Sequence, residues 1–104
     1  MSYKVSISPA AYNQIAEIIS FLKNESVEAA KQLYKEIINK IESLSDVPER
    51  CPQLDELKMF FGATRKLLVG KGRYAILFRI QRNNVYVNYV FDLRQNKFWR
   101  DYFK

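Results

Sequence analysis

The chain predicts an α+β domain of order β-α-α-β-β-β, an antiparallel helical hairpin packed on one face of an antiparallel sheet. Three observations lead there. Residues 3–8 (YKVSIS) alternate in the manner of a strand, residues 9–44 carry two apolar stripes at helical spacing, and residues 63–94 alternate again across two turns. At 104 residues the chain is expected to be one domain spanning 1–104.

The first strand sets Tyr3, Val5 and Ile7 on one face. Ser8-Pro9 then starts a helix, with Ser8 as N-cap and Pro9 at the first helical position. Ala11, Ile15, Ile18, Ile19 and Leu22 give that helix its stripe over 9–23. Ser26 caps a second helix striped by Ala30, Leu33, Ile37, Ile41 and Leu44, and Val47-Pro48 ends it. So short a link folds the two helices back on each other. Residues 48–62 show neither period and predict a loop with one helical turn.

A strand over 63–69 and a Gly70-Lys71-Gly72 turn lead into RYAILFRIQRNNVYVNYVFDLRQN, residues 73–96. Asn83-Asn84 suits a two-residue type I′ turn, because Asn tolerates positive φ. That turn pairs Ile80 with Val87, Phe78 with Tyr89, Ile76 with Phe91 and Tyr74 with Leu93 on the face toward the helices. The other face then carries Arg79–Asn88, Leu77–Val90, Ala75–Asp92 and Arg73–Arg94, and a three-residue turn at 70–72 adds Arg65 opposite Leu77. The arginines are thus expected together on the helix-free face. Like charges at Arg73 and Arg94 would repel across the ladder, which suits cations held ready for an anion. The alternative is that Asp92, diagonal to Arg73, neutralises a solvated sheet end.

Net charge is +6, unevenly placed. Residues 1–52 hold six Lys/Arg against seven Asp/Glu, and residues 53–104 hold eleven against four. A basic half points to an anionic partner, nucleic acid or an acidic protein segment, with plain solubility as the alternative. Histidine is absent, which removes histidine triads, bases and metal sites, and no glycine-rich phosphate loop is present. Cys51 stands alone, so no intrachain disulfide or C-x-x-C half-site exists, and a reducing cytoplasm fits best. No cofactor or metal is expected. No signal peptide or apolar run of membrane-spanning length is visible, so no membrane partner is expected. In the tail, Phe98, Trp99, Tyr102 and Phe103 would form one aromatic stripe on a helix, interleaved with Lys97, Arg100 and Lys104. Such a stripe either docks on its own domain or forms an exposed patch for a partner.

Taken over nearly the whole chain, these segments resemble the ParE/RelE superfamily of type II toxins. YKVSISPAAYNQIAEIISFL is similar to the family's opening strand and first helix, and AAKQLYKEIINKIESLSDVPERCP to its second helix and following loop. RKLLVGKGRYAILFRIQRNNVYVNYVFDLRQN is similar to its three-stranded meander with a terminal arginine. Members of the RelE kind cut mRNA on the ribosome with basic residues on the last three strands. The resemblance places Arg65 and Arg94 at two of those positions, but Leu67 stands where a lysine is expected and Ala75 where the catalytic arginine is. The C-terminal tyrosine has no clear counterpart, since Tyr102 lies far on. Losing a transition-state donor costs about 10²–10³ in rate, so two losses should cripple that cleavage.

The resemblance therefore implies a ParE-like toxin, inhibiting DNA gyrase without catalytic residues of its own and neutralised by a cognate antitoxin. An acidic antitoxin segment would take Arg65, Arg73, Arg79 and Arg94, and the target would take Trp99, Arg100, Tyr102 and Phe103. One alternative is a ribosome-dependent mRNA endoribonuclease using Arg65, Arg73, Arg94 and Tyr102; another is a nonenzymatic nucleic-acid-binding module on the same basic sheet.

Overall fold

A computed structural model describes residues 2–54 and 62–94. Strand β1 (Lys4–Ile7) leads into α1 (Pro9–Glu25) and α2 (Val27–Glu42); short 3-10 turns at Ser43–Ser45 and Pro48–Arg50 precede β2 (Arg65–Val69), β3 (Tyr74–Gln81) and β4 (Asn84–Asp92). The helix starts follow the expected chemistry. Ser8 accepts from the Ala11 amide at 3.0 Å with Pro9 behind it, and Ser26 accepts from the Ala29 amide at 3.1 Å. Ser26 alone links the two helices, its own N–H donating back to the Leu22 carbonyl. All five residues of the predicted α2 stripe, Ala30, Leu33, Ile37, Ile41 and Leu44, are buried.

The sheet order is β1-β4-β3-β2, antiparallel from β2 to β4 and parallel between β1 and β4. The parallel pair follows from where α2 delivers the chain. After α2, Ser45 accepts a hydrogen bond from the Tyr3 amide at 2.8 Å, so the chain has returned to the end where β1 began. Strand β2 therefore starts in the direction of β1, and a three-strand meander brings β4 back to that direction. The predicted antiparallel sheet is thus a mixed one. With α1 over β4 and α2 over β2, the core gathers Ala11, Ile15, Leu33, Ile37 and Ile41 against Ile76, Phe78, Val85 and Val87.

The register differs from the expected one in three places. The β3–β4 turn falls on Arg82-Asn83, with Gln81 opposite Asn84. Its positive φ lies at Arg82 (57°), the first central position, as in a type II′ turn. This moves the pairs by two residues and keeps the faces, so Val85 and Val87 still point to the core opposite Ile80 and Phe78. A β-bulge then follows. Phe78 pairs with Val87 but Leu77 pairs with Tyr89, leaving Asn88 as the extra residue. Beyond it every side chain of β4 changes face. Val90 is buried in the main core, while Tyr89, Phe91 and Leu93 join Leu54, Ala75 and Leu77 in a second cluster on the opposite side.

The third difference is the β2–β3 connection, which has four residues, Gly70 to Arg73, closed by the Arg73 amide on the Gly70 carbonyl at 3.2 Å. Val69 therefore faces Tyr74 and Arg65 faces Phe78, one position from the predicted pairing. Gly70 has φ of 62°, and a Cβ there would stand 2.8 Å from the Tyr74 ring, so glycine is required on both counts. Its N–H donates to the Glu36 carboxylate at 2.7 Å, tying the turn to α2.

The bulge leaves backbone groups to satisfy, and α1 supplies the partners. Ser8 Oγ donates to the Asn88 carbonyl at 2.9 Å, and the Gln14 side-chain oxygen accepts from the Val90 amide at 2.7 Å. Gln14→Leu keeps the packing volume but orphans that part-buried amide. It is expected to cost about 1–2 kcal/mol in urea unfolding. An unchanged midpoint would show that Val90 finds another acceptor.

Candidate functional site

The sheet face turned away from the helices is the candidate site. By alternation β3 presents Ala75, Leu77 and Arg79 there, with Arg73 at the end of the turn before it beside Leu93, β2 presents Lys66 and Leu68, and β1 presents Lys4 beside Asn84 and Tyr86. Its middle is apolar and closed, since Ala75, Leu77, Leu93 and Leu54 are buried together. Its periphery is cationic and aromatic. The Arg79 guanidinium lies 5.8 Å from the centre of the Tyr86 ring, and Tyr89 stacks on Phe91 with centroids 5.6 Å apart. A groove of about 570 Å³ runs across the bulge, between the start of α1 and Arg79, with Thr64, Leu77, Asn88 and Tyr89 along it.

Of the four arginines expected on this face, the structure brings two. Arg73 and Arg79 are there and exposed. Arg94 is not: the bulge shifts the pairing so that Leu93 N–H donates to the Arg73 carbonyl at 2.8 Å, and no Arg73–Arg94 pair forms. Arg94 instead lines a second groove beside α1, its Nε 3.7 Å from Asp92 and its N–H on the same carboxylate at 3.0 Å.

Arg65 is not there either. Opposite Phe78 it takes the helix side, where its Nη1 donates to the Glu49 carbonyl at 3.0 Å and the Cys51 carbonyl at 2.6 Å. The guanidinium thus joins the backbone bonds that hold the segment after α2 against the edge strand, Lys66 N–H to the Pro52 carbonyl at 3.1 Å and Leu54 N–H to the Thr64 carbonyl at 2.8 Å. Two neighbours complete that anchorage. Arg50 closes the turn before it through the carbonyls of Asp46 and Val47, and the Tyr3 hydroxyl donates to Glu49. The hydrogen bond from Tyr3 holds the Glu49 carboxyl below the usual range, and the same contact pushes the Tyr3 hydroxyl up.

The remaining predicted positions separate by location. Ala75 is fully buried and Leu67 turns toward the main core, so neither side chain reaches a ligand on the open face. Cys51 is buried, and burial pushes its thiol up, away from the thiolate a nucleophile needs. Trp99, Arg100, Tyr102 and Phe103 lie outside the described residues. Among the described residues, no three His, Cys, Asp or Glu side chains form a metal-binding group, and no helix is long and apolar enough to cross a membrane.

Sequence reasoning missed Lys66, Lys4 and the Tyr89–Phe91 pair. Lys66 had a readable signal. Only a four-residue connection lets Leu67 and Val69 join the buried face of β3, and that parity sends Lys66 outward.

A family model described as the ParE toxin of the type II toxin–antitoxin system parDE matches residues 5–96. Eight chains of solved structures also match. One, from the chromosomal ParDE system of P. aeruginosa, superposes with a TM-score of 0.69 at 12% identity, covering 86% of this chain and 94% of its own. At that identity the likeness is one of fold. No curated protein matches the sequence.

Proposed function

This chain belongs to the ParE toxin family of type II toxin–antitoxin systems, and on that premise we propose that it inhibits DNA gyrase in the cytoplasm and is neutralised by a cognate antitoxin. The observation that carries the choice of target is the dispersal of the cations a ribosomal nuclease would need. Arg65 is committed to two backbone carbonyls, Ala75 is buried, and Arg94 lies on the helix side beside Asp92. Phosphoryl-transfer chemistry needs donors aimed at one developing charge, and these residues do not share a face.

The antitoxin is assigned to the open sheet face. An acidic segment laid there meets Arg73 and Arg79, and its apolar side chains meet the groove beside Leu77 and Tyr89. The contact with gyrase is assigned to Trp99, Arg100, Tyr102 and Phe103, a mixed aromatic and cationic set of the kind that dominates protein interfaces.

Pulse-labelling after induced expression tests the target. Thymidine incorporation is expected to stop within the first minutes while methionine incorporation continues. A prior stop in methionine incorporation would replace gyrase with the ribosome. A chain truncated after Asn96 that still folds and still arrests growth at full strength would remove the tail from the target contact.

A further inference from the structure

We propose that the turn between β2 and β3 is a contact point for the antitoxin's acidic segment, with Lys71 joining Arg73 as the recognising cations and Glu36 of α2 holding both in place. This rests on the reading of the chain as a toxin whose antitoxin lies on the open sheet face. The turn is strained at its tip. Gly70, Lys71 and Gly72 all have positive φ, at 62°, 58° and 83°. Glycine takes such values freely, but in a lysine they crowd Cβ against the following carbonyl, and glycine or asparagine is the ordinary occupant. Packing does not offset that cost, because Lys71 is exposed. A strained side chain at a solvated tip points to a use for its charge.

That charge is not used within the domain. Among the described residues neither the Lys71 nor the Arg73 side chain has an ion-pair partner. Asp92, opposite Tyr74 where β3 begins, is taken by Arg94 through both its N–H and its Nε. The two cations are also held still, with Gly70 as the hub. Its N–H donates to the part-buried Glu36 carboxylate at 2.7 Å, and its carbonyl accepts from the Arg73 N–H at 3.2 Å. The Arg73 carbonyl accepts in turn from the Leu93 N–H at 2.8 Å, and Val69 and Tyr74 on either side of the turn are buried. One carboxylate on α2 thus fixes the backbone that carries both cations. A cation on a fixed backbone loses less freedom when an anion docks than one on a loose loop, so it gives more affinity. Glu36 is a positioning residue, acting on the segment only through the turn.

Calorimetric titration of full-length toxin variants with the antitoxin, alongside urea unfolding of each variant, tests both roles. Lys71→Asn relieves the strained φ, so its urea midpoint is expected to hold or rise while antitoxin affinity falls about threefold. Lys71→Ala with Arg73→Ala is expected to lower affinity about tenfold. Glu36→Leu is expected to lower it about fivefold, and Glu36→Gln, whose side-chain oxygen still accepts from Gly70, to restore most of the loss. A double-mutant cycle separates positioning from plain stability. In the chain lacking both cations, Glu36→Leu should still lower the urea midpoint but change affinity by less than about twofold, since nothing is left to position. An equal affinity loss in both backgrounds would overturn the role of Glu36, and unchanged affinity in Lys71→Asn would overturn that of Lys71. Arg79→Glu shows which reading has failed. If it weakens binding while the turn variants do not, the sheet face stands and the turn falls; if none of them weakens binding, the assignment of the antitoxin to this face falls with it.

Discussion

Replacing Arg73 and Arg79 together by glutamate is expected to weaken antitoxin binding by about 10²–10³-fold and to abolish relief of growth arrest by the co-expressed antitoxin. Both side chains are exposed on the face turned away from the helices, and neither donates a hydrogen bond that holds the fold among the described residues, so thermal stability should stay near that of the parent. The lost attraction is compounded by repulsion, because the glutamates would face an acidic segment. The effect should shrink as salt rises, since charges at the rim of an interface are screened over about 8–10 Å at physiological ionic strength. Titration of the purified pair at two salt concentrations measures it. Unchanged affinity would remove the acidic segment from this face. Arg94→Glu provides the spatial comparison: an effect as large as the double reversal would place the segment beside α1 instead.

Arg65→Ala is expected to act on the fold rather than on the partner, at a cost of about 2–3 kcal/mol. The guanidinium is the shared donor to the Glu49 and Cys51 carbonyls, and the second of these bonds is part-buried. Without it, at least one carbonyl loses its partner away from water. In a domain of this length that corresponds to roughly 10–20 °C in melting temperature. Arg65→Lys should recover only part of the loss, because an ammonium is a point charge without the planar fork that reaches two acceptors. Equilibrium urea unfolding of the three chains decides it. Equal midpoints for all three would show that the anchorage comes from the backbone bonds at Pro52 and Leu54, with Arg50 and Tyr3, instead.

These two expectations separate arginines that look alike in the sequence. Arg65 and Arg79 both sit in alternating strands beside apolar residues, and both were expected on one face. What divides them is a single residue of turn length: with four residues from Gly70 to Arg73, Arg65 pairs opposite Phe78 and swings to the helix side. Arg94 is displaced by the extra residue at Asn88. Turn length and bulge position are weakly encoded locally, because glycine and asparagine accept several turn types. They are settled by which parity buries more. Leu67, Val69 and Val90 all gain the main core from the observed register.

The helix starts and buried stripes were legible, and for a physical reason, though α2 ends at Glu42 and passes into a 3-10 turn rather than running to Val47-Pro48. Caps and stripes act over three or four residues: Ser8 with Pro9, Ser26, and the run from Ala30 to Leu44 carry their own start signals and their own buried face. The strand content and the sequence of elements were equally local, since alternation has the period of the pleat. From the same residues came the charge asymmetry and the resemblance to a toxin family that the match over residues 5–96 places as ParE.

Tertiary structure alone decided what two distant segments do to each other. The parallel pairing of β1 with β4 depends on where α2 returns the chain, signalled by the bond between Tyr3 and Ser45 across the whole helical hairpin. The bulge at Asn88 is sustained by Ser8 and Gln14, residues some eighty positions away in sequence for one of the two bonds. Local periodicity and capping thus set the elements and their order, and the quoted segments carried the resemblance that the family match over residues 5–96 bears out. The faces on which Arg65, Arg73, Arg79 and Arg94 act were decided by long-range burial and hydrogen-bond satisfaction, which shift a strand by one residue and so reverse every side chain beyond the shift.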